Sequence, residues 1–246
     1  MKSLIFTLIS FLVLALSFSN SAEQQTKNSA VVLQLFTSQG CSSCPSADDF
    51  LETIKKEYAT ENVFVLSYHI DYWNSLGWKD PFSKAEYTNL QYKYGEKLNA
   101  KRVYTPQLIV NGKKHFVGSS KRKITQSIAD NLKLESANGL LFSNITKELN
   151  TISFDYKITG NVTSKKLQIA LVLDNEITKV KRGENTNRTI SNSNIVIHTL
   201  SKNITDLSGN ITLQVPKNYK NKENLSVIGF IENGRLQISG ATQIKV

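Results

Sequence analysis

The sequence predicts an α/β domain followed by an all-β, antiparallel sandwich-like domain. Between residues 30 and 136, short apolar runs alternate with stretches of helical spacing, a pattern that is typical of an α/β fold. From residue 140 to residue 246, segments that alternate apolar and polar residues follow one another without a helical stretch, which predicts strands with one buried face. The 246 residues are 40% hydrophobic and 20% charged, a composition that provides for sizeable cores and excludes wholesale disorder.

The elements of the α/β domain, residues 30–136, follow from its apolar runs and from the helical spacing between them. Strands are expected at 30–36, 62–68, 107–110 and 115–117, and helices at 47–58, 83–98 and 123–134. Asn111-Gly112 is a strong two-residue hairpin signal between the last two strands. We interpret the helical segment around 71–100 as an insertion into this domain.

The second domain, residues 140–246, is predicted from strand patterns alone. Strands are expected at 152–158, 167–173, 194–199, 211–215, 225–231 and 235–238. Turn signals at Thr159-Gly160-Asn161 and at Asn233-Gly234 separate some of them. Six or seven strands in about 105 residues predict an antiparallel β-sandwich.

Residues 1–22 predict a signal peptide. Lys2 supplies the positive charge, an apolar run follows it, and Ser21 and Ala22 are small residues suited to cleavage. The apolar run has about 15 residues, short of the roughly 20 that a membrane-spanning helix needs. We therefore expect a periplasmic or secreted protein without a stable membrane span after signal cleavage, in a compartment where disulfides persist.

The formal net charge is +10, and the basic residues are spread thinly along the chain. We interpret this basicity as a solvated surface, with attraction to an acidic partner or a membrane surface as the alternative. No nucleic-acid partner is expected.

The most specific chemical signal is the pair Cys41 and Cys44, spaced C-x-x-C between an expected strand and an expected helix. Backbone N–H groups at a helix N-terminus stabilise anions, which favours a thiolate at Cys41. Cys44 lies one helical turn later and is positioned to resolve a mixed disulfide formed at Cys41. Pro45 suits the first turn of a helix because it lacks an N–H that would be unpaired there. The pattern predicts a redox-active dithiol.

Two other roles for the cysteines stay open. A structural disulfide is one, although closing four residues removes little entropy from the unfolded chain. A metal site using Cys41, Cys44 and His69 is the other. Structural zinc needs four ligands, and the sequence has three histidines and no second cysteine pair. No metal and no cofactor are therefore expected.

The segment 69–81 follows a strand whose end is expected near the cysteines. There, His69 is a candidate for proton exchange with a thiol, and Asp71 is a candidate for orienting it or binding a cation. Trp73 and Trp78 are candidates for a wall facing the substrate. The alternative is that the aromatic residues cover the domain and that His69 is hydrogen-bonded in the core.

A polar loop follows in the second domain, and it contains Arg182, Glu184, Asn185 and Arg188. These charges and amides lie between two expected strands. Ion pairing within or between domains is the favoured interpretation of this loop, with catalysis as the alternative.

The chain also resembles a known family in four segments. They are LQLFTSQGCSSCPSAD (33–48), HIDYWNSLGWKDPFS (69–83), YTPQLIVNG (104–112) and RGENTNRTISNSNIV (182–196). Over about residues 30 to 240 they resemble an exported bacterial family, domain of unknown function 1223, within the thioredoxin-like superfamily. The resemblance implies export and a thioredoxin-like fold for the first domain, and it brings no established reaction.

The superfamily resemblance also implies a role for Thr105 and Pro106. In that superfamily a Thr-Pro peptide bond is cis and packs against the cysteine pair. This implies a cis bond at Thr105–Pro106 beside Cys41, with both residues shaping a substrate groove. About 60 residues separate Cys44 from Pro106, which leaves room for the insertion that carries the tryptophans.

The leading hypothesis is a thiol–disulfide oxidoreductase with Cys41 as the attacking thiolate and Cys44 as the resolving thiol. Its expected partner is a protein or small molecule that bears a thiol or a disulfide. The alternative is a non-catalytic envelope binding or interaction protein that keeps the disulfide as a brace, with the β domain as its working part.

Overall fold

The computed structural model describes residues 29–246, so the expected signal peptide at 1–22 lies outside the described residues. The helices are α1 (Pro45–Glu57), α2 (Ala85–Lys97) and α3 (Lys121–Leu132), with 3-10 turns at Asn74–Leu76 and Lys217–Tyr219. The first strands are β1 (Val31–Thr37), β2 (Val63–His69), β3 (Gln107–Val110), β4 (Lys114–Val117), β5 (Gly139–Lys147) and β6 (Thr151–Thr159). The later strands are β7 (Lys165–Lys179), β8 (Thr189–Asn203), β9 (Ser208–Gln214), β10 (Leu225–Asn233) and β11 (Ile238–Lys245).

Eight of these strands form one mixed sheet in the order β11-β10-β7-β8-β2-β1-β3-β4. The pairs β1–β2 and β2–β8 are parallel, and the other neighbouring pairs in the sheet are antiparallel. The contact between β2 and β8 joins Ser67 to Ile195, so strands from the two halves of the chain are neighbours. Strands β5, β6 and β9 form a second, three-stranded antiparallel sheet.

The predicted fold class is therefore wrong. We expected a thioredoxin-like α/β domain followed by a separate all-β, sandwich-like domain, but the described residues form a mainly β fold whose large sheet takes strands from both halves. The change of pattern near residue 140 marks the place where strands take over from helices, and both sets of strands enter the same sheet. Periodicity reports which face of a strand is buried, but it does not report which strand lies next to it.

Two individual expectations about the first half are confirmed. The Asn111-Gly112 signal lies in the turn between β3 and β4, and Gly112 has a φ of +64°. A side chain at Gly112 would also collide with the backbone of Leu236, so glycine is required there by both conformation and space. The Thr105–Pro106 peptide bond is cis.

The apolar core has three parts. One lies between β1 and the helices α1 and α3, and another lies between the two sheets. The third joins the two halves of the chain, because Phe36 and Tyr68 belong to the same buried cluster as Val172, Val196 and Phe230. Within residues 29–246, no helix combines the length and apolar character needed to cross a membrane.

Candidate functional site

Cys41 and Cys44 form a disulfide in the turn between β1 and α1, with their Cα atoms 5.4 Å apart. Both cysteines are completely buried. Cys44 directly precedes the helix, and its carbonyl accepts hydrogen bonds from the amides of Ala47 and Asp48. The hydroxyl of Ser43 lies 3.4 Å from the Sγ atom of Cys41, where it can donate a hydrogen bond to sulfur. The pair therefore lies at the N-terminus of a 13-residue helix, with an additional hydroxyl donor beside Cys41.

Gln39 anchors the disulfide turn to three other segments. Its backbone N–H donates to a carboxylate oxygen of Asp80 at 2.8 Å, and its carbonyl accepts from the Asn185 amide at 3.0 Å. Its side-chain nitrogen donates to Asn192 at 2.9 Å, and its side-chain oxygen accepts from the Trp78 indole at 3.3 Å. All four polar groups of this buried residue are bonded, so the turn is held from several sides.

The loop between β7 and β8 reaches back over the disulfide turn. Asn185 is completely buried, and its side-chain amide donates to the carbonyl of Cys41 at 2.9 Å as well as to that of the preceding glutamine. Arg188 donates to the side-chain oxygen of Asn185 at 2.9 Å. The Glu184 carboxylate accepts a hydrogen bond from the backbone N–H of Ser42 at 3.0 Å. Hydrogen bonds from the side chain and the backbone of Ser42 hold the pKa of the exposed Glu184 below its usual value.

Behind the turn, His69 and Asp80 form a completely buried pair, with 2.7 Å between Nδ1 and the carboxylate. Burial opposes both charges, but the charge and hydrogen bond of each partner favour the ionised form of the other. They raise the pKa of His69 and lower the pKa of Asp80. The Nε2 atom of His69 is buried without a hydrogen-bond partner among the described residues.

Asp48 is a second buried carboxyl group near this pair. It lies one helical turn after Cys44, and the Thr37 hydroxyl donates to one of its oxygens at 3.1 Å. Its other oxygen has no hydrogen-bond partner among the described residues. Burial raises the pKa of Asp48 to about 7, although the nearby His69 and the Thr37 hydroxyl act in the opposite direction. The site thus contains a carboxyl group that titrates near neutral pH.

The structure places both tryptophans at the disulfide turn. The Trp73 indole donates to the Thr105 hydroxyl at 2.8 Å, and a Cβ atom built on Gly40 would lie 3.3 Å from the Cβ of Trp73. Trp78 reaches the turn through its hydrogen bond to Gln39. These contacts bring both tryptophans and Thr105 close to the cysteines, while their role in a substrate groove stays a prediction.

Pro106 and Asp71 have different neighbours in this region. A Cβ atom built on Gly118 would touch both the Cβ of Pro106, at 3.0 Å, and the Cβ of Ala47, at 2.8 Å. Pro106 is therefore close to the first turn of α1. Asp71 instead accepts a hydrogen bond from the Thr88 hydroxyl of α2 at 2.6 Å. The carboxylate that bonds to His69 is that of Asp80, eleven residues further along the chain, and not that of Asp71.

Sequence reasoning missed four residues of the site, namely Gln39, Asp48, Asp80 and Asn192. A signal existed only for Asp48, because a polar residue four positions after Cys44 lies on the same face of the helix. The loop with Glu184 and Arg188 was expected to form ion pairs. The described part of the chain shows neither residue in a salt bridge, and both instead bond to neutral groups at the disulfide turn or within the loop.

A metal site was the third possibility for the cysteines. Among residues 29–246, no three His, Cys, Asp or Glu side chains form a group that could hold a metal ion. The histidines are dispersed, since His115 bonds to the Tyr104 hydroxyl and His198 lies on β8.

The fold and the site define a mainly β protein with a buried C-x-x-C disulfide at a helix N-terminus. The chain belongs to the family described as protein of unknown function (DUF1223), whose model matches residues 32–232. The structure is similar to that of an Agrobacterium tumefaciens protein from a structural genomics consortium, with 27% identity and a TM-score of 0.67 over 92% of this chain and 96% of that chain.

A domain of the outer membrane lipoprotein Omp28 from Porphyromonas gingivalis matches 45% of this chain and 88% of its own length. Its identity is 14% and its TM-score is 0.26, values too low to carry an argument. None of the curated proteins matches the sequence.

Proposed function

We propose that this protein is a thiol–disulfide oxidoreductase that acts in the periplasm or as a secreted protein. The observation that supports the proposal is the position of the Cys41–Cys44 disulfide at the N-terminus of α1, with the Ser43 hydroxyl beside Cys41. The helix end and the hydroxyl both favour a thiolate at Cys41 once the disulfide is reduced. A disulfide that closes so short a loop adds little to stability, so bracing alone explains it poorly.

The proposed reaction is a two-electron exchange. In the reduced protein, the Cys41 thiolate attacks one sulfur of a substrate disulfide and forms a mixed disulfide, while the other substrate sulfur leaves as a thiolate. The Cys44 thiolate then attacks the Cys41 sulfur, which restores the internal disulfide and releases the second substrate thiolate. Two electrons pass from the cysteine pair to the substrate, and the reverse sequence oxidises a dithiol substrate.

The reduction potential of the Cys41–Cys44 pair tests this proposal. Equilibration with mixtures of reduced and oxidised dithiothreitol, followed by alkylation and mass measurement, is expected to give a potential above about −300 mV. In the reduced protein, Cys41 is expected to be alkylated before Cys44, because the Ser43 hydroxyl lies beside the Cys41 sulfur and can stabilise its thiolate. A potential below that value would instead identify an inert structural disulfide.

A smaller effect is expected from the serines between the cysteines. Ser43→Ala removes the hydroxyl beside Cys41 and is expected to slow alkylation of Cys41 at pH 7 by about two- to tenfold, the range that corresponds to one ordinary hydrogen bond. Ser42→Ala is the matched control, because this neighbouring serine is also exposed and its hydrogen bonds go to Glu184 and not to a sulfur atom. Equal rates in both variants would remove Ser43 from the site.

A second function is favoured by one observation, the complete burial of both cysteines. Reactive cysteines are ordinarily at least partly exposed, whereas buried structural cysteines are inert. Under this alternative, the protein is a non-catalytic envelope binding or interaction protein and the disulfide braces the turn. The measured potential separates the two functions.

A further inference from the structure

A segment that is distant in sequence is hydrogen-bonded to the backbone of the disulfide turn. We call residues 181–188, which lie in the loop between β7 and β8, the strap. Of the strap residues, Asn185 is completely buried, whereas Glu184 and Arg188 are exposed. The strap thus places one buried polar side chain against the turn of Cys41 and keeps its charged groups in solvent.

The strap is fastened to the disulfide turn by three hydrogen bonds. Two come from the Asn185 amide, which donates to the carbonyls of Gln39 and Cys41. The third joins the Ser42 backbone N–H to the Glu184 carboxylate. Each of these bonds connects residues more than 140 positions apart in the chain, so none of them holds the turn together locally.

Two further sets of contacts hold the strap, one at its ends and one at its middle. Its two ends are tied by backbone hydrogen bonds from Val180 to Arg188 and from Asn187 to Val180. At its middle, Gly183 has a φ of +75°, and a Cβ atom there would lie 3.2 Å from the Leu76 carbonyl and from the Trp78 side chain. The middle of the strap therefore packs against the segment that carries the tryptophans. The hydrogen bonds that tie its two ends are separate from those that join it to the disulfide turn.

We propose that the strap is a latch that controls access to the Cys41–Cys44 disulfide, with Asn185 as the positioning residue that closes it. The inference rests on the proposed oxidoreductase function. An attacking thiolate must reach a sulfur atom, and both cysteines are fully buried in the turn to which the strap is bonded. The strap must lift before either direction of exchange, which breaks the bonds of Asn185 and Glu184 to the turn.

The test is the rate at which excess dithiothreitol reduces the disulfide of the folded protein. Asn185→Ala removes the two hydrogen bonds to the turn, together with the bond that Asn185 accepts from Arg188, and is expected to speed reduction by about ten- to hundredfold. Asn185→Asp keeps the shape of the side chain but lacks both N–H donors, and it is expected to react about as fast as Asn185→Ala. Glu184→Ala removes one exposed contact and is expected to give an acceleration of about two- to fivefold.

Arg182→Ala is the matched control, because Arg182 is an exposed strap residue with no side-chain hydrogen bond to the turn, and its rate should equal that of the wild type. In Asn185→Ala, reoxidation by oxidised dithiothreitol should be accelerated as strongly as reduction. The reduction potential of this variant should therefore equal that of the wild type. If Asn185 served only to stabilise the fold, its replacement would shift the reduction potential or leave the rates of reduction and reoxidation unchanged. Glu184→Ala keeps the test decisive if Asn185→Ala fails to fold.

The latch and the proposed function fail in different ways. If the potential lies above about −300 mV and the Asn185 and Glu184 variants react at the wild-type rate, the latch is wrong and the oxidoreductase function stands. If the potential lies below that value although the variants react faster, the strap covers an inert disulfide and the proposed function is wrong. The latch is also overturned if Arg182→Ala accelerates reduction as much as Asn185→Ala.

Discussion

Replacing Asp48 with Asn is expected to make the protein more stable than the wild type at pH 8. The side chain is completely buried beside the disulfide helix, and burial raises its pKa to about 7 from an ordinary value of 3.8. Between about pH 4 and pH 7, the folded protein therefore keeps a proton on Asp48 that the unfolded chain has released. The stability that the protonated Asp48 contributes is complete below pH 3.8 and is lost as the pH rises through 7.

The size of this effect follows from the shift in pKa. Each pKa unit corresponds to about 1.4 kcal/mol, so the ionisation of Asp48 is expected to reduce the free energy of unfolding by about 4 kcal/mol between pH 4 and pH 8. Asn mimics the protonated carboxyl group and has no ionisation. The difference in stability between variant and wild type should therefore grow in favour of the variant across this range.

Urea unfolding of the oxidised protein at several pH values between 4 and 8 measures the difference. Asp49→Asn is the matched control, because Asp49 is the next residue of the same helix and is exposed. This control removes a carboxylate from the surface of the same helix and leaves the buried one in place. A pH-independent difference for Asp48→Asn would show that the folded protein ionises this carboxyl group as readily as the unfolded chain does.

Much of the disulfide site itself was predictable from the sequence. The strand before Cys41, the helix after Cys44 and the Asn111-Gly112 hairpin depend on interactions within a few residues, and periodicity and turn chemistry report such interactions directly. The cis bond before Pro106 followed from a family resemblance. These features make up the inner part of the site.

The outer part of the site was not predictable, because its contacts join residues far apart in the sequence. Gln39 meets Asn192 across 153 positions, and Asn185 meets Cys41 across 144. An asparagine in a polar loop has the same local pattern whether it faces solvent or closes a buried turn. The same limit explains why the partner of His69 was not predicted. Asp71 is close to His69 in sequence, but the chain turns back at a 3-10 turn and brings Asp80 to the histidine instead.

The fold class failed for a related reason. Strands β7 and β8 have 15 residues each, yet only their most apolar parts, 167–173 and 194–199, were predicted, because the remainder of each strand is more polar. The middle of β8 pairs with β2, and that pairing converts two expected domains into one sheet.

A chain that ends at residue 138 is therefore expected to lose cooperative unfolding. It would leave β2 as an edge strand paired only with β1 and would remove β7, β8, β10 and β11 from the large sheet. Phe36 and Tyr68 would lose core neighbours such as Val172, Val196 and Phe230.

Each large apolar side chain contributes about 1.5 to 3 kcal/mol through burial, so exposing part of this cluster approaches the whole stability of about 5 to 15 kcal/mol for a typical domain. The disulfide turn would lose Asn185 and Asn192 as well, although the disulfide could still form. Circular dichroism and tryptophan fluorescence during urea unfolding, with residues 29–246 as the control, measure the outcome. Residues 29–138 should show a gradual transition or none, whereas a sharp transition seen equally by both probes would mean that the first half folds alone and that the β2–β8 contact is an interface between two domains.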